Sequence, residues 1–294
     1  MRVNCPYLCT NIPKHLQQSC FKIGHYFRKS DSRRIQRWKC PHCQKSFSSA
    51  IFNSCYRQKK RRLNHKIYIL LCSGNSIRRI AFLLNTHRIT VSRKLQFLAQ
   101  QARVEHTELL LNLSKKNKKI EKIQFDELET SEHTKCKPIA IELVVEEKRR
   151  MILGVKASSM PAKGKIAKKA RKKYGFRVDQ RKQGWEKVFN QIKDCVSPEL
   201  IGTSDSHTLY PSLFKKTFPK GKHIQVKGVR GCIVGQGELK KISYDPLFSL
   251  NHTCAMFRAN VNRLIRRTWC TTKKMNFLQD HLDLYVKFHN QKLI

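Results

Sequence analysis

Acidic residues are the scarce component of this 294-residue chain: 20 Asp and Glu stand against 61 Lys and Arg, a formal net charge of +41. From Met1 to Val104 the single acid is Asp31, against 22 Lys and Arg. A self-repelling charge of this size makes sense where a polyanion neutralises it, which points to nucleic acid and away from small acidic substrates. Long apolar runs are missing too. Ile67–Cys72, one of the longer ones, falls far short of the ~20 residues of a membrane helix, so no span is expected. The stretch MRVNCPYLC has no apolar core of the secretory type. The twelve cysteines are therefore expected in a reducing compartment, as metal ligands or buried thiols before disulfides. No internal repeat is visible. A hydrophobic content of 40% suffices for packed cores, and the length favours two or three modest domains.

Where the cysteines and the few acids fall divides the chain. Cys5-x3-Cys9 is followed by Cys40-x2-Cys43 within KCPHCQKSFS. Two close cysteine pairs brought together from separate turns supply four thiolates at tetrahedral angles, which suits Zn2+ and stabilises a domain with little core. The segment between the pairs reads as a two-stranded ribbon with Trp38 and Phe47 packing beside the site. Cys20 and His42 are the alternative ligands. This gives a zinc ribbon over residues 1–50.

Residues 51–104 read as a helical DNA-binding domain. A first helix covers about Asn64–Cys72, and SGNS (73–76) breaks it and caps the next. Ile77, Ile80, Ala81 and Leu84 form the stripe of a second helix. A third begins near Ile89, with Val91, Leu95 and Leu98 inward and Thr90, Ser92, Arg93 and Lys94 outward. Short polar side chains plus Arg and Lys at the start of such a helix suit major-groove base edges and phosphates, so the expectation is a helix-turn-helix. The Lys-rich SKKNKKIEK and the change in charge balance after it place a linker at 105–122.

Over 123–294 the periodicity predicts a strand ending at Asp126, two apolar strands at 137–145 and 149–158, and a basic stretch AKGKIAKKARKKYG. A helix with Trp185, Val188, Phe189 and Ile192 on one face follows, then a short strand ending at Asp205. Two acids at strand ends in so basic a protein make sense as holders of divalent cations. Mg2+ (or Mn2+) takes hard oxygen ligands and keeps waters, so few carboxylates suffice. A pair of such ions activates a water or a 3′-hydroxyl and stabilises the leaving oxygen of a phosphodiester.

The motifs KCPHCQKSFS, FDELET around Asp126, GTSDSHTLYP around Asp205 and the segment LNHTCAMFRANVNRLIRRTWCTTKK, in this order, resemble bacterial insertion-sequence transposases of the DDE class. The resemblance implies a multidomain α+β chain: a zinc ribbon, a helix-turn-helix bundle and a ribonuclease-H-like α/β core with a mixed sheet. It also implies recognition of terminal inverted repeats in double-stranded DNA, metal-dependent 3′-end cleavage and strand transfer to target DNA. A homodimer or larger assembly on DNA, in the bacterial cytoplasm at the nucleoid, goes with that. Asp126 and Asp205 take the places of two catalytic acids. The third acid of the class opens the last helix of the core, where this chain has Asn251 or, slipped by one, His252. Glu238 and Asp245 are the nearest acids that can substitute. Arg258, Arg263, Arg266 and Arg267, on one long helix, then suit a DNA backbone. The missing acid leaves a second expectation open: a degenerate transposase, or a DNA-binding regulator without chemistry.

Overall fold

The computed structural model describes residues 3–7, 20–29, 31–115, 119–227, 245–265 and 270–293. Cys9, Glu238, Arg266 and Arg267 lie outside these residues. The chain divides into two compact units, residues 1–66 and 67–294.

In the first unit, β1 (Phe21–Arg28), β2 (Arg33–Lys39) and β3 (Ser46–Ser48) form an antiparallel sheet in that order. Arg28 and Asp31 clasp the β1–β2 turn through a bidentate pair. Cys20, Cys40 and Phe47 make a small buried cluster, packed by Val3, Trp38 and Ile51. So small a core is the situation in which a metal supplies the missing stability.

The boundary falls within α1 (Asn64–Leu71), and α2 (Ile77–Leu83) and α3 (Arg88–Ser114) follow in the second unit. The Ser76 hydroxyl accepts the Arg79 N–H at the start of α2, and His87 Nδ1 accepts the Ile89 N–H at the start of α3. Here the structure departs from the linker expected at 105–122. Between Arg88 and Ser114 there is neither Gly nor Pro to stop the helix. Val91, Leu95, Ala99 and Ala102 continue into Leu110 and Leu113, all buried. The charge boundary therefore falls mid-helix, and the last turns of α3 belong to the core of the sheet domain.

That domain is built on a five-stranded sheet of β4 (Ile120–Ser131), β5 (Pro138–Glu146), β6 (Ile152–Ser159), β7 (Val196–Asp205) and β8 (Lys222–Val226), ordered β6-β5-β4-β7-β8. The β4–β5 and β5–β6 pairs are antiparallel; β4–β7 and β7–β8 are parallel. This mixed order is the one the ribonuclease-H-like resemblance implies. Between β6 and β7 run α4 (Ala167–Tyr174) and α5 (Arg181–Ile192), and α6 (Tyr210–Thr217) joins β7 to β8. Successive side chains of a strand alternate between faces. Phe125 accordingly packs among Trp185, Phe189, Tyr210 and Phe214 of α5 and α6. Its neighbour Gln124 serves α7 (Phe248–Asn260), accepting the Leu250 N–H and donating to the Pro246 carbonyl.

Gly202 of β7 permits this aromatic packing, since a Cβ there would lie 2.3 Å from Cε2 of the buried Phe214 ring. Gly202→Ala is expected to cost about 1–3 kcal/mol of stability, read by denaturant unfolding.

After α7 the chain departs again from expectation. The helix stops at Asn260, Val261 is extended, and a 3-10 turn covers Asn262–Leu264. Val261 and Leu264 are both buried, which turns the chain inward and takes Arg263 off the Arg258 helix. A final helix, α8 (Met275–Gln291), packs along α3, where Arg103 pairs with Asp280 and Asp283 and Lys287 with Glu105.

Candidate active site and candidate metal centre

The parallel register of β4 with β7 ends at Phe125↔Ser204, so the next residues, Asp126 and Asp205, stand side by side where the two strands part. β4 runs on to Ser131 with only β5 beside it, so Asp126 sits mid-strand and not at a strand end. Adjacent strands lie about 4.8 Å apart, which sets the two carboxylates close together in the middle of the sheet. Tyr210, buried at the first turn of α6, donates its hydroxyl to Asp126 Oδ1 at 2.9 Å, and the Glu127 N–H reaches the same oxygen at 2.7 Å. Asp205 Oδ1 accepts the His207 N–H at 3.1 Å. Burial and the neighbouring charge of Asp205 push Asp126 up to about 6, against the pull of its two donors. A like-charged pair on neighbouring strands is a site that a divalent cation relieves.

Tyr210 escaped the sequence reading. Its signal was local: it follows Asp205 by five residues in DSHTLYP, at the first turn of an amphipathic helix.

The candidates for a third ligand are dispersed. Asn251 is exposed and donates to Asp245 Oδ2 at 2.9 Å, so these two meet each other at the start of α7. His252 lies beside Arg150, with both ring nitrogens within 3.2 Å of the guanidinium, and against the Phe248 ring. Cys254 of α7, a neutral thiol that burial pushes up to about 12, lies within electrostatic reach of Asp126. Among the described residues, no third Asp, Glu, His or Cys brings a ligand atom into a metal-sized cluster with Asp126 and Asp205.

Behind the pair, on the α5 face, Glu127 accepts Trp185 Nε1 at 2.9 Å and pairs with Arg181. Its cross-strand partner Glu142 is fully buried. Ser158 donates to Glu142 Oε2, while Oε1 has no partner among the described residues. Gly184 lets α5 close over it, since a Cβ there would lie 2.7 Å from the carboxyl carbon. Burial drives Glu142 up to about 8. Between roughly pH 5 and 8 the folded chain then holds a proton that the unfolded chain has lost, and stability falls as pH rises through that window. Glu142→Gln is expected to melt at a higher temperature than the parent at pH 8, the gap closing towards pH 4. Thermal melts across pH check this, and a constant gap would contradict it.

In the first unit, the ligand atoms of Cys5, Cys40 and Cys43 lie within 4.8 Å of one another. The Cys5 and Cys43 sulfurs are 3.7 Å apart, matching the edge of about 3.8 Å of a tetrahedron with Zn–S of 2.3 Å. Cys20 lies next to them: it is buried with Cys40 and within electrostatic reach of Cys40, Cys5 and Cys43, while its own sulfur falls outside the three-cysteine group. The Cys20 N–H donates to the Val3 carbonyl at 3.0 Å, which ties it to the segment leading into Cys5. His42 is exposed and supplies no ligand atom to the Cys5, Cys40 and Cys43 group.

At the start of α3, Thr90 and Ser92 are half-buried and Arg93 is exposed, but Lys94 is buried at 6% exposure. Lys94 therefore does not belong to an outward DNA-reading face, because it shares the inward side of α3 with Val91 and Leu95. Arg258 and Arg263 line a cavity of about 900 Å³ with Glu129 and Thr130 of β4. Burial lowers Arg263, whose guanidinium donates to the Thr271 carbonyl.

No protein-family model matches the chain, and no curated protein matches it. Among solved structures, the catalytic domain of Mos1 mariner transposase is similar over 68% of this chain and 92% of its own, at 12% identity and a TM-score of 0.26.

Proposed function

We propose that the chain is a transposase-like enzyme that binds DNA and carries out metal-dependent phosphoryl transfer on it. One observation carries the reading: in a chain of net charge +41, two carboxylates stand side by side where the two central parallel strands of the sheet part. A binding module has no need of carboxylates set against a polyanion. Asp126 and Asp205 would hold Mg2+ or Mn2+, which supplies charge stabilisation and an activated oxygen nucleophile when bound. Tyr210 and the Glu127 N–H fix the Asp126 carboxylate, leaving Oδ2 for the cation. Asn251, at the opening of α7, is the residue we assign to the third position, as a neutral oxygen donor.

The first unit would hold one zinc through Cys5, Cys20, Cys40 and Cys43. DNA ends would be read through Thr90, Ser92 and Arg93 of α3, with Arg258 nearer the carboxylates. A DNA-binding protein without chemistry is the second reading, favoured by the absence of a third acid from the Asp126–Asp205 cluster among the described residues.

Mn2+ binding followed by calorimetry separates the two. The enzyme reading expects binding to the zinc-loaded protein that Asp126→Asn abolishes. Because ligands must be deprotonated, affinity should weaken below about pH 6, where Asp126 takes up its proton. Binding indifferent to Asp126→Asn favours the second reading.

A further inference from the structure

The basic stretch between β6 and α5 is left unexplained by the carboxylate site. From Lys148 to Val178 the sequence contains no acid. Within it, α4 places Lys168 with Lys172, and Lys169 with Lys173, at i,i+4 spacing, where like charges destabilise a helix. Only Ala170 of this eight-residue helix is buried, so packing does little to offset the repulsion. Two further observations give the segment a direction. Lys163 and Ile166, just before α4, line the cavity of about 900 Å³ that Leu128, Thr130 and Arg258 also line, and Leu128 follows Asp126 by two residues on the same face of β4. Just after α4, Phe176 is 76% exposed, an uncovered aromatic ring directly beyond a run of cations.

We infer that residues 160–178 form a DNA-gripping arm: the α4 lysines hold the phosphates of a strand passing the carboxylate site, and Phe176 stacks on one of its bases. A cationic track beside an exposed aromatic ring is the chemistry that retains a nucleic-acid strand without reading its sequence, because every base offers a π-face. Bound phosphates would also remove the repulsion that α4 carries alone. The inference rests on the reading of the chain as a DNA-handling protein, and not on its metal chemistry.

The test uses the full-length, zinc-loaded protein and a fluorescein-labelled DNA duplex with a single-stranded flank. Binding is measured by anisotropy over a range of salt concentrations, without divalent cations. Lys168, Lys169, Lys172 and Lys173, changed together to Gln, should weaken binding and flatten the log–log salt dependence by about 2–4 in slope. A control changes four lysines on another side of the sheet, Lys215, Lys216, Lys220 and Lys222, to Gln. Phe176→Ala should lose roughly ten- to hundredfold on the flanked duplex and much less on a blunt one. In Phe176→Trp, DNA should quench the new indole emission. An unchanged salt slope, an equal loss in the control, or a Phe176→Ala variant that binds both DNAs like the parent would overturn the arm. Because divalent cations are left out, failure of the phosphoryl-transfer reading leaves these results interpretable.

Discussion

On the proposed function, Asp126→Asn and Asp205→Asn are expected to abolish Mg2+- or Mn2+-dependent cleavage of DNA while leaving DNA binding in place. The cation's charge stabilisation in such a reaction is worth several kcal/mol, so losing one of its carboxylates should cost about a thousandfold or more in rate. What distinguishes this expectation from simple damage is its companion effect on stability. Burial and Asp205 hold the folded-state pKa of Asp126 above its unfolded value, so above that value the ionised group costs stability. Asn carries no charge and still offers Oδ1 to Tyr210. Asp126→Asn should therefore melt at or above the parental temperature at pH 8 in the absence of divalent cation, yet be inactive, the trade expected of a site strained for function. A variant that melts well below the parent, or retains cleavage, would count against the assignment. Tyr210→Phe probes the same carboxylate more gently: without its hydroxyl donor the Asp126 carboxyl should rise further above the usual carboxylate range, moving the acid limb of any cleavage profile to higher pH.

How far the sequence carried the site depends on the range of the interaction concerned. Asp126 and Asp205 were legible because each closes a short apolar run whose neighbours alternate or are fully buried, a pattern local to a handful of residues. The order of elements then sufficed to bring the two acids together, since β4 and β7 are the central parallel pair. Three things were not legible, each for a different physical reason. The continuity of α3 is hidden because charge changes along it while the apolar stripe through Leu110 and Leu113 does not. The inward face of Lys94 follows from helix phase: it adjoins Leu95 and follows Val91 by three, so its outward assignment rested on residue type alone. The end of α7 at Asn260 had no Gly or Pro to announce it. It is set by tertiary burial of Val261 and Leu264, and Asn262 Nδ2 then donates to the Gly74 carbonyl, nearly 190 residues away in the chain.

The metal centre shows the same limit at closer quarters, and it yields the second large effect. Spacing alone favours Cys9, because it stands near Cys5 as Cys43 stands near Cys40. Burial and backbone pairing favour Cys20, which the Val3–Cys20 hydrogen bond sets beside the segment leading to Cys5. Burial and three neighbouring thiols push the Cys20 thiol up to about 11, an arrangement that is costly as four thiols and favourable as four thiolates around a cation. Cys20→Ser is therefore expected to lose zinc and unfold the first unit, whereas Cys9→Ser should keep about one zinc per chain. Changes to groups that merely support a ligand already cost about 10–100-fold in metal affinity. Removing a ligand should cost more than that, and in a unit with so little core, binding free energy is folding free energy. Co2+ in place of zinc supplies the direct readout: its thiolate-to-metal charge-transfer absorption scales with the number of sulfur ligands. It should match four thiolates in the parent and in Cys9→Ser, and fall or vanish in Cys20→Ser. The opposite pattern would return the fourth place to Cys9. The change should be confined to the first unit, because the sheet domain of residues 67–294 has its own buried core. Mn2+ binding at Asp126 and Asp205 should then survive Cys20→Ser.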